Sequence, residues 1–238
     1  DLLGCWGSPA RSSEVVTLEN TLADLTEIVD QVGGGRVDLV GHCCASQYVH
    51  AIRRRWPEKV RRAVFISPAE SFGVVFKDIV QLWIGQQRLV LRSGEQAAVD
   101  AFLGKPEEAF GSEEVRAILR WALRTRDPFE PYWCIEAARR EFFEFLAETP
   151  HTLEIFEPIQ CALLREPRPD YGSLYEDVPV LLIQGDQDPV TRWAVNGTRI
   201  FEAVAGARLV SIAGAGHWPH IEKRELACRA LTDFLDTA

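Results

Sequence analysis

Four short apolar runs, each bounded by turn residues and separated by helical sequence, constrain the fold more than any other feature. They are Val37–Val40, Arg62–Ser67 ("RAVFIS"), Val178–Gly185 ("VPVLLIQG") and Ala207–Gly214 ("ARLVSIAG"). Near-continuous Val, Ile and Leu, without polar alternation, marks strands buried on both faces. Such strands form parallel sheets, because each connecting helix must cross back over a face. The pattern predicts an α/β chain with a mostly parallel sheet and flanking helices.

The helical sequence is uneven. Leu18–Val32 is amphipathic and stops at Gly33, Gly34 and Gly35, and a second amphipathic stretch from Cys43 to Trp56 is closed by Pro57. Between the second and third strands lie roughly a hundred residues with helical periodicity and almost no strand signal. Candidate helices there are Phe72–Leu91, Glu95–Leu103, Ser112–Arg124, Tyr132–Ala147 and Thr152–Leu164. A block of that length predicts an all-helical insertion over one edge of the sheet. The expected division is a core of 1–69 and 178–238 with an insertion of 70–177.

With 238 residues, 47% of them apolar, the chain can fill a core. It contains no apolar run of 18 residues and no charged-then-apolar leader, so no membrane partner is expected. A net charge of −9 repels phosphate backbones, which argues against nucleic acid. The exception is "RRRWPEKVRR", with Arg53, Arg54, Arg55, Lys59, Arg61 and Arg62. These fall where a helix ends and a strand begins, a place that favours cations through the helix dipole. Six cysteines without framework spacing predict a reducing compartment, the cytoplasm. Lacking a CxxC pair and HExxH, the chain is expected to hold no metal and no cofactor.

In open parallel sheets, functional groups collect at the carboxyl ends of strands. Cys43, Asp188 and His217 follow the first, third and fourth strands, in the order nucleophile, acid, base. Asp188 also suits a helix cap, and Asp186 is a rival two residues away. Glu70, at the end of "FISPAE", is a further alternative acid.

Four segments resemble the α/β-hydrolase superfamily: "DLLGCWGSP" its loop after the fourth strand, "LVGHCCAS" its nucleophile elbow, "LLIQGDQDP" its acid loop and "GAGHWPHIE" its histidine loop. The elbow carries cysteine. The resemblance implies Cys43 as nucleophile, His217 as base, Asp188 as the group orienting His217, and the Cys44 N–H as one oxyanion donor. A thiol at a helix N-terminus beside an imidazole is expected to lose its proton readily. The helical insertion sits where the family carries its cap. His42, Trp83, Trp121, Trp133 and Trp218 are the expected pocket lining. The resemblance also implies strands before the elbow, of which only the tail of the fourth remains, leaving about 50 to 80 residues absent. The strand bearing Cys43 would then present an unpaired edge, and a homodimer through that edge is one expected outcome.

Thiol chemistry favours acyl transfer from thioesters or activated esters, lactones included, because exchange of one thioester for another is close to isoenergetic. The expected partner is thus a small-molecule ester, lactone or thioester, free or tethered to a carrier protein. Hydrolysis, acyl transfer and Dieckmann-type cyclisation stay open, as does a non-catalytic protein that binds ligands on the same fold.

Overall fold

A computed structural model of the chain describes residues 17–32, 34–87, 89–106, 109–122, 124, 128–147, 163–164, 166 and 168–237. The stretch Asp1–Pro9 and most of the expected helix Thr152–Leu164 lie outside the described residues.

Helix α1 (Leu18–Val32) leads into β1 (Val37–His42), α2 (Ala45–Arg55) and β2 (Val60–Ile66). Helices α3 (Phe72–Gly85), α4 (Ser93–Gly104), α5 (Ser112–Ala122), α6 (Glu136–Ala147) and the single turn α7 (Tyr171–Leu174) follow. The chain then returns through β3 (Val180–Gly185), α8 (Gly197–Ala203), β4 (Arg208–Ile212), α9 (Pro219–Glu222) and α10 (Arg224–Leu235). All four apolar runs are strands, paired in parallel in the order β1-β2-β3-β4. Among the described residues β1 is therefore an edge strand, and Val40 on it is exposed.

Both faces of the sheet are covered, as the unbroken apolar runs require. One face packs Val64, Ile66, Leu181, Ile183 and Ile212 against Ala227, Ala230 and Phe234 of α10. The other sets Ala63, Phe65 and Leu182 in one continuous core with Leu22, Tyr48 and Ile52, and with Phe76, Trp83, Phe102 and Ile118 of α3 to α5. The apolar core thus runs without a break from the sheet into the helices that follow β2.

Among the described residues two helix boundaries differ from the sequence pattern by more than two residues. Helix α3 stops at Gly85, where Gln87 takes a left-handed backbone with φ 54°. The expected helix from Tyr132 begins only at Glu136. Glu130–Tyr132 forms a 3₁₀ turn around Pro131, and Trp133 is extended. Trp83 is also no pocket residue: it is 2% exposed, stands edge-on to Phe76, and its indole N–H donates to the Pro128 carbonyl at 2.7 Å. Trp121 packs against the same core.

The six cations of "RRRWPEKVRR" all have partners. Arg53 donates to the Leu174 carbonyl at 2.9 Å and pairs with Asp177, and Arg54 pairs with Glu166. Arg55 pairs with Glu19 at 2.7 Å, Lys59 with Asp30 and Arg61 with Asp38, while Arg62 donates to the Leu235 carbonyl. Among the described residues no helix is long and apolar enough to cross a membrane.

Candidate active site

The turn between β1 and α2 is tight, and sequence explains why it closes. A Cβ on Gly41 would stand 2.9 Å from Val49 Cγ2 and 3.0 Å from the Ala45 carbonyl, so only glycine lets α2 fold back this closely. Cys43 is held in the left-handed region with φ 51°, a conformation costing a non-glycine residue about 1–3 kcal/mol. Three hydrogen bonds hold it there. Its N–H donates to the Ile66 carbonyl at 3.0 Å, and its carbonyl accepts from Ser46 N at 3.0 Å and Ala69 N at 3.3 Å. Strain of this kind, anchored on all sides, raises a side chain above the carboxyl end of a sheet. Ser67, at the end of β2, shares the left-handed backbone with φ 44°, and its buried hydroxyl has no partner among the described residues.

Asp188 and His217 meet across the ends of β3 and β4. The His217 Nδ1 stands 3.0 Å from Asp188 Oδ2 and 3.2 Å from Oδ1, with both side chains buried. Asp188 is fixed by four further donors: Val190 N at 2.8 Å and Thr191 N at 3.1 Å to Oδ1, Thr191 Oγ1 at 2.7 Å and Gln184 Nε2 at 2.9 Å to Oδ2. Burial alone would raise this carboxyl, yet the His217 imidazole and the Thr191 and Val190 donors hold it well below the usual carboxylate range.

Neither alternative acid faces His217. Asp186 is exposed and accepts from Gly214 N at 2.7 Å, which shapes the turn before the histidine. Glu70 is buried and paired with the Arg199 guanidinium, with Arg168 3.7 Å away.

Burial alone would lower His217, but the Asp188 carboxylate and Cys43 push it up to about 10. Cys43 can do so only as a thiolate, so Asp188 is the cause that acts at neutral pH. Cys43 departs from the sequence expectation. Contact with the Cys44 thiol, sulfur to sulfur 3.6 Å, and then burial push its thiol well above the ordinary value of 9.0, against the opposite pull of His217. A helix N-terminus and a histidine do not outweigh an apolar enclosure and a second thiol.

Around this pair lies a cluster of rings. His42 Nε2 donates to the His217 carbonyl at 2.8 Å, and its ring packs on His217, Trp218 and His220 at 4.5 to 4.8 Å. Burial holds His42 well below its ordinary value and His220 at about 4, so both are neutral at neutral pH. Trp133 stacks on Trp218 with ring centres 5.5 Å apart and planes 12° apart, and Phe142 packs against both. Two residues that the sequence reading missed hold this arrangement. The Tyr132 carbonyl accepts from His217 N at 2.8 Å, and the Glu222 carboxylate accepts from Gly216 N at 2.9 Å. The only sequence signal for Glu222 was a carboxylate closing "HWPHIE". Among the described residues no cluster of His, Cys, Asp or Glu is placed to hold a metal.

A sequence profile described as "Alpha/beta hydrolase family" matches residues 1–230. The chain belongs to the alpha/beta hydrolase family. Hydrolase-type function goes with that membership. The fold is similar to an esterase from Exiguobacterium antarcticum, with TM-score 0.66 and 17% identity over 100% of this chain and 80% of that one. A bromoperoxidase from Bacillus anthracis gives 0.64 and 17%, over 99% and 79%. A meta-cleavage product hydrolase from Pseudomonas fluorescens gives 0.62 and 17%, over 99% and 78%. At these identities the likeness is one of fold. Among curated proteins none matches the chain in sequence.

In this alpha/beta hydrolase the neighbouring thiol invites a direct test. In Cys44→Ala, loss of the sulfur contact is expected to lower the Cys43 pKa. Alkylation of Cys43 by iodoacetamide then becomes faster at neutral pH, and its rise with pH moves toward lower pH. An unchanged profile, read by peptide-mapped mass spectrometry, would mean that burial alone holds the thiol protonated.

Proposed function

We propose that the chain transfers or hydrolyses acyl groups through a covalent acyl-Cys43 intermediate, with His217 as general base and Asp188 orienting it. The observation that carries this reading is the left-handed Cys43, raised at the strand end where it and the Asp188-bound His217 each alter the other's proton affinity. The Cys43 thiol gives its proton to His217 Nε2 as sulfur attacks the acyl carbonyl, and the leaving thiol or alcohol takes that proton as the tetrahedral intermediate collapses. Because the resting thiol is protonated, His217 must take the proton during attack, and only its neutral form can do so. The rate therefore rises with pH from neutral toward the alkaline range. Among the described residues no acceptor engages the Cys44 N–H, which leaves it to donate to the oxyanion.

Thioesters and activated esters, lactones among them, are the substrates that suit sulfur, since the acyl-enzyme stays as activated as the thioester it came from. The stacked Trp133–Trp218 rings beside His217 suit an apolar or planar acyl group. Water, an amine or a carbanion can each resolve such an intermediate, giving hydrolase, acyltransferase or Dieckmann-type cyclase activity.

The test is brief exposure to a short acyl thioester, followed by peptide mapping. An acyl group on Cys43 that is absent in His217→Ala is the expected result. A second reading, ligand binding without turnover, is favoured by the protonated thiol alone. It predicts alkylation of Cys43 but no acylation at any pH, and that outcome would overturn the acyl-transfer reading.

A further inference from the structure

The Glu222 side chain joins the histidine loop to the entry of α6, alongside the direct backbone bond from His217 N to the Tyr132 carbonyl and the Trp133–Trp218 stack. It sits in α9, is 7% exposed, and spends both carboxylate oxygens on backbone. Oε1 accepts from Gly216 N at 2.9 Å, the residue before His217. Oε2 accepts from Cys134 N at 2.7 Å and Ile135 N at 2.9 Å, where the chain enters α6. Those two amides would otherwise be unpaired donors at a helix start, and charge-assisted bonds to them are among the stronger ones. The grip explains why α6 starts late. Trp133 is extended so that its successors reach the carboxylate, and the same geometry brings the Tyr132 carbonyl to His217 N and lays Trp133 on Trp218.

Given the acyl-transfer reading above, on which this rests, we infer that Glu222 is a positioning residue that sets the His217 imidazole and the Trp133–Trp218 stack beside it as one unit. It touches no reacting atom. Its carboxylate fixes the backbone on either side of His217 Nε2's approach to Cys43, through Gly216 directly and through Tyr132 by way of Cys134. A change at the Trp133–Trp218 stack is then felt at the base, and the reverse.

Glu222→Gln tests this, since it preserves size but opposes an amide N–H₂ to at least one of the three backbone donors. Two readouts are taken at one temperature: the rate of Cys43 alkylation by iodoacetamide, and kcat and KM for a short acyl thioester. The expected result is an alkylation rate near that of H217A, no further fall in the double variant E222Q/H217A, and a kcat lower by about ten- to a hundredfold with KM raised. Alkylation at the unmodified rate, or an equal fall with and without His217, would overturn the inference, because a purely structural role does not depend on the base. Should E222Q melt below the assay temperature, amide hydrogen exchange of the unmodified chain decides. Gly216, Cys134 and Ile135 protected to the same degree supports the inference, and fast exchange at Cys134 and Ile135 overturns it. If the unmodified chain gives no acyl-Cys43 while the alkylation pattern holds, acyl transfer fails and the positioning role stands.

Discussion

Asp188→Asn lowers the rate of Cys43 acylation by about three to four orders of magnitude, the effect expected when the carboxylate behind a catalytic imidazole becomes an amide. Five donors converge on Asp188, from His217, Thr191 twice, Val190 and Gln184. An asparagine must turn its N–H₂ toward at least one of them. If that one is His217 Nδ1, the imidazole adopts the tautomer with its proton on Nε2, facing Cys43, and cannot accept the thiol proton. If the N–H₂ turns elsewhere, a buried donor loses its acceptor at about 1–3 kcal/mol. The measurement is single-turnover acylation by a short thioester. A rate within tenfold of the unmodified chain would remove Asp188 from the mechanism.

The same substitution has a signed dependence on pH. His217, raised from its ordinary 6.5 to about 10, contributes stability fully below pH 6.5 and loses it as pH rises through about 10. Asp188 is held below its ordinary 3.8, so its contribution is present above that value and is lost as pH falls. The difference in melting temperature between the unmodified chain and D188N is therefore widest from about pH 4 to 6.5 and narrows toward pH 10. A gap that widens with rising pH would contradict the ion pair.

Gly185→Ala is the largest expected effect on the fold. A Cβ there would stand 2.1 Å from the Gly216 carbonyl oxygen and 2.4 Å from that of Ala215, both backbone atoms with no rotamer to yield. Either the histidine loop or the end of β3 must shift, at a cost of about 3 kcal/mol or more. For a chain of this size that corresponds to a melting temperature lower by roughly 6–12 °C. Because the displaced loop carries His217, acylation measured well below the melting temperature should fall as well. A variant that melts with the unmodified chain would show that the acid and histidine loops are not in close contact.

How much of this was legible in the sequence differs from element to element. Helix α1 was read to the residue, Leu18–Val32, and the four strands within about two residues, because apolar periodicity is a local property. Helix α6 was misjudged because its first turn is taken apart by a carboxylate 88 positions away in sequence, Glu222 to Cys134. Trp83 was expected in the pocket as one of the bulky rings of the helical insertion, and only packing against Phe76 and the Pro128 carbonyl sends it to the core.

By itself the sequence determined the α/β class, the parallel sheet, and the placing of a cysteine, two neighbouring aspartates and a histidine at strand ends. Each of these depends on residues within one strand and the turn after it. Only the tertiary structure decided that Asp188, and neither Asp186 nor Glu70, faces His217, that Glu222 ties the entry of α6 to the histidine loop, and that Cys44 and burial keep the Cys43 thiol protonated. Those outcomes are set by donors, acceptors and exclusion of water gathered from distant parts of the chain. Hydrogen bonding and desolvation depend on the three-dimensional neighbourhood, and no local pattern of residue types encodes it.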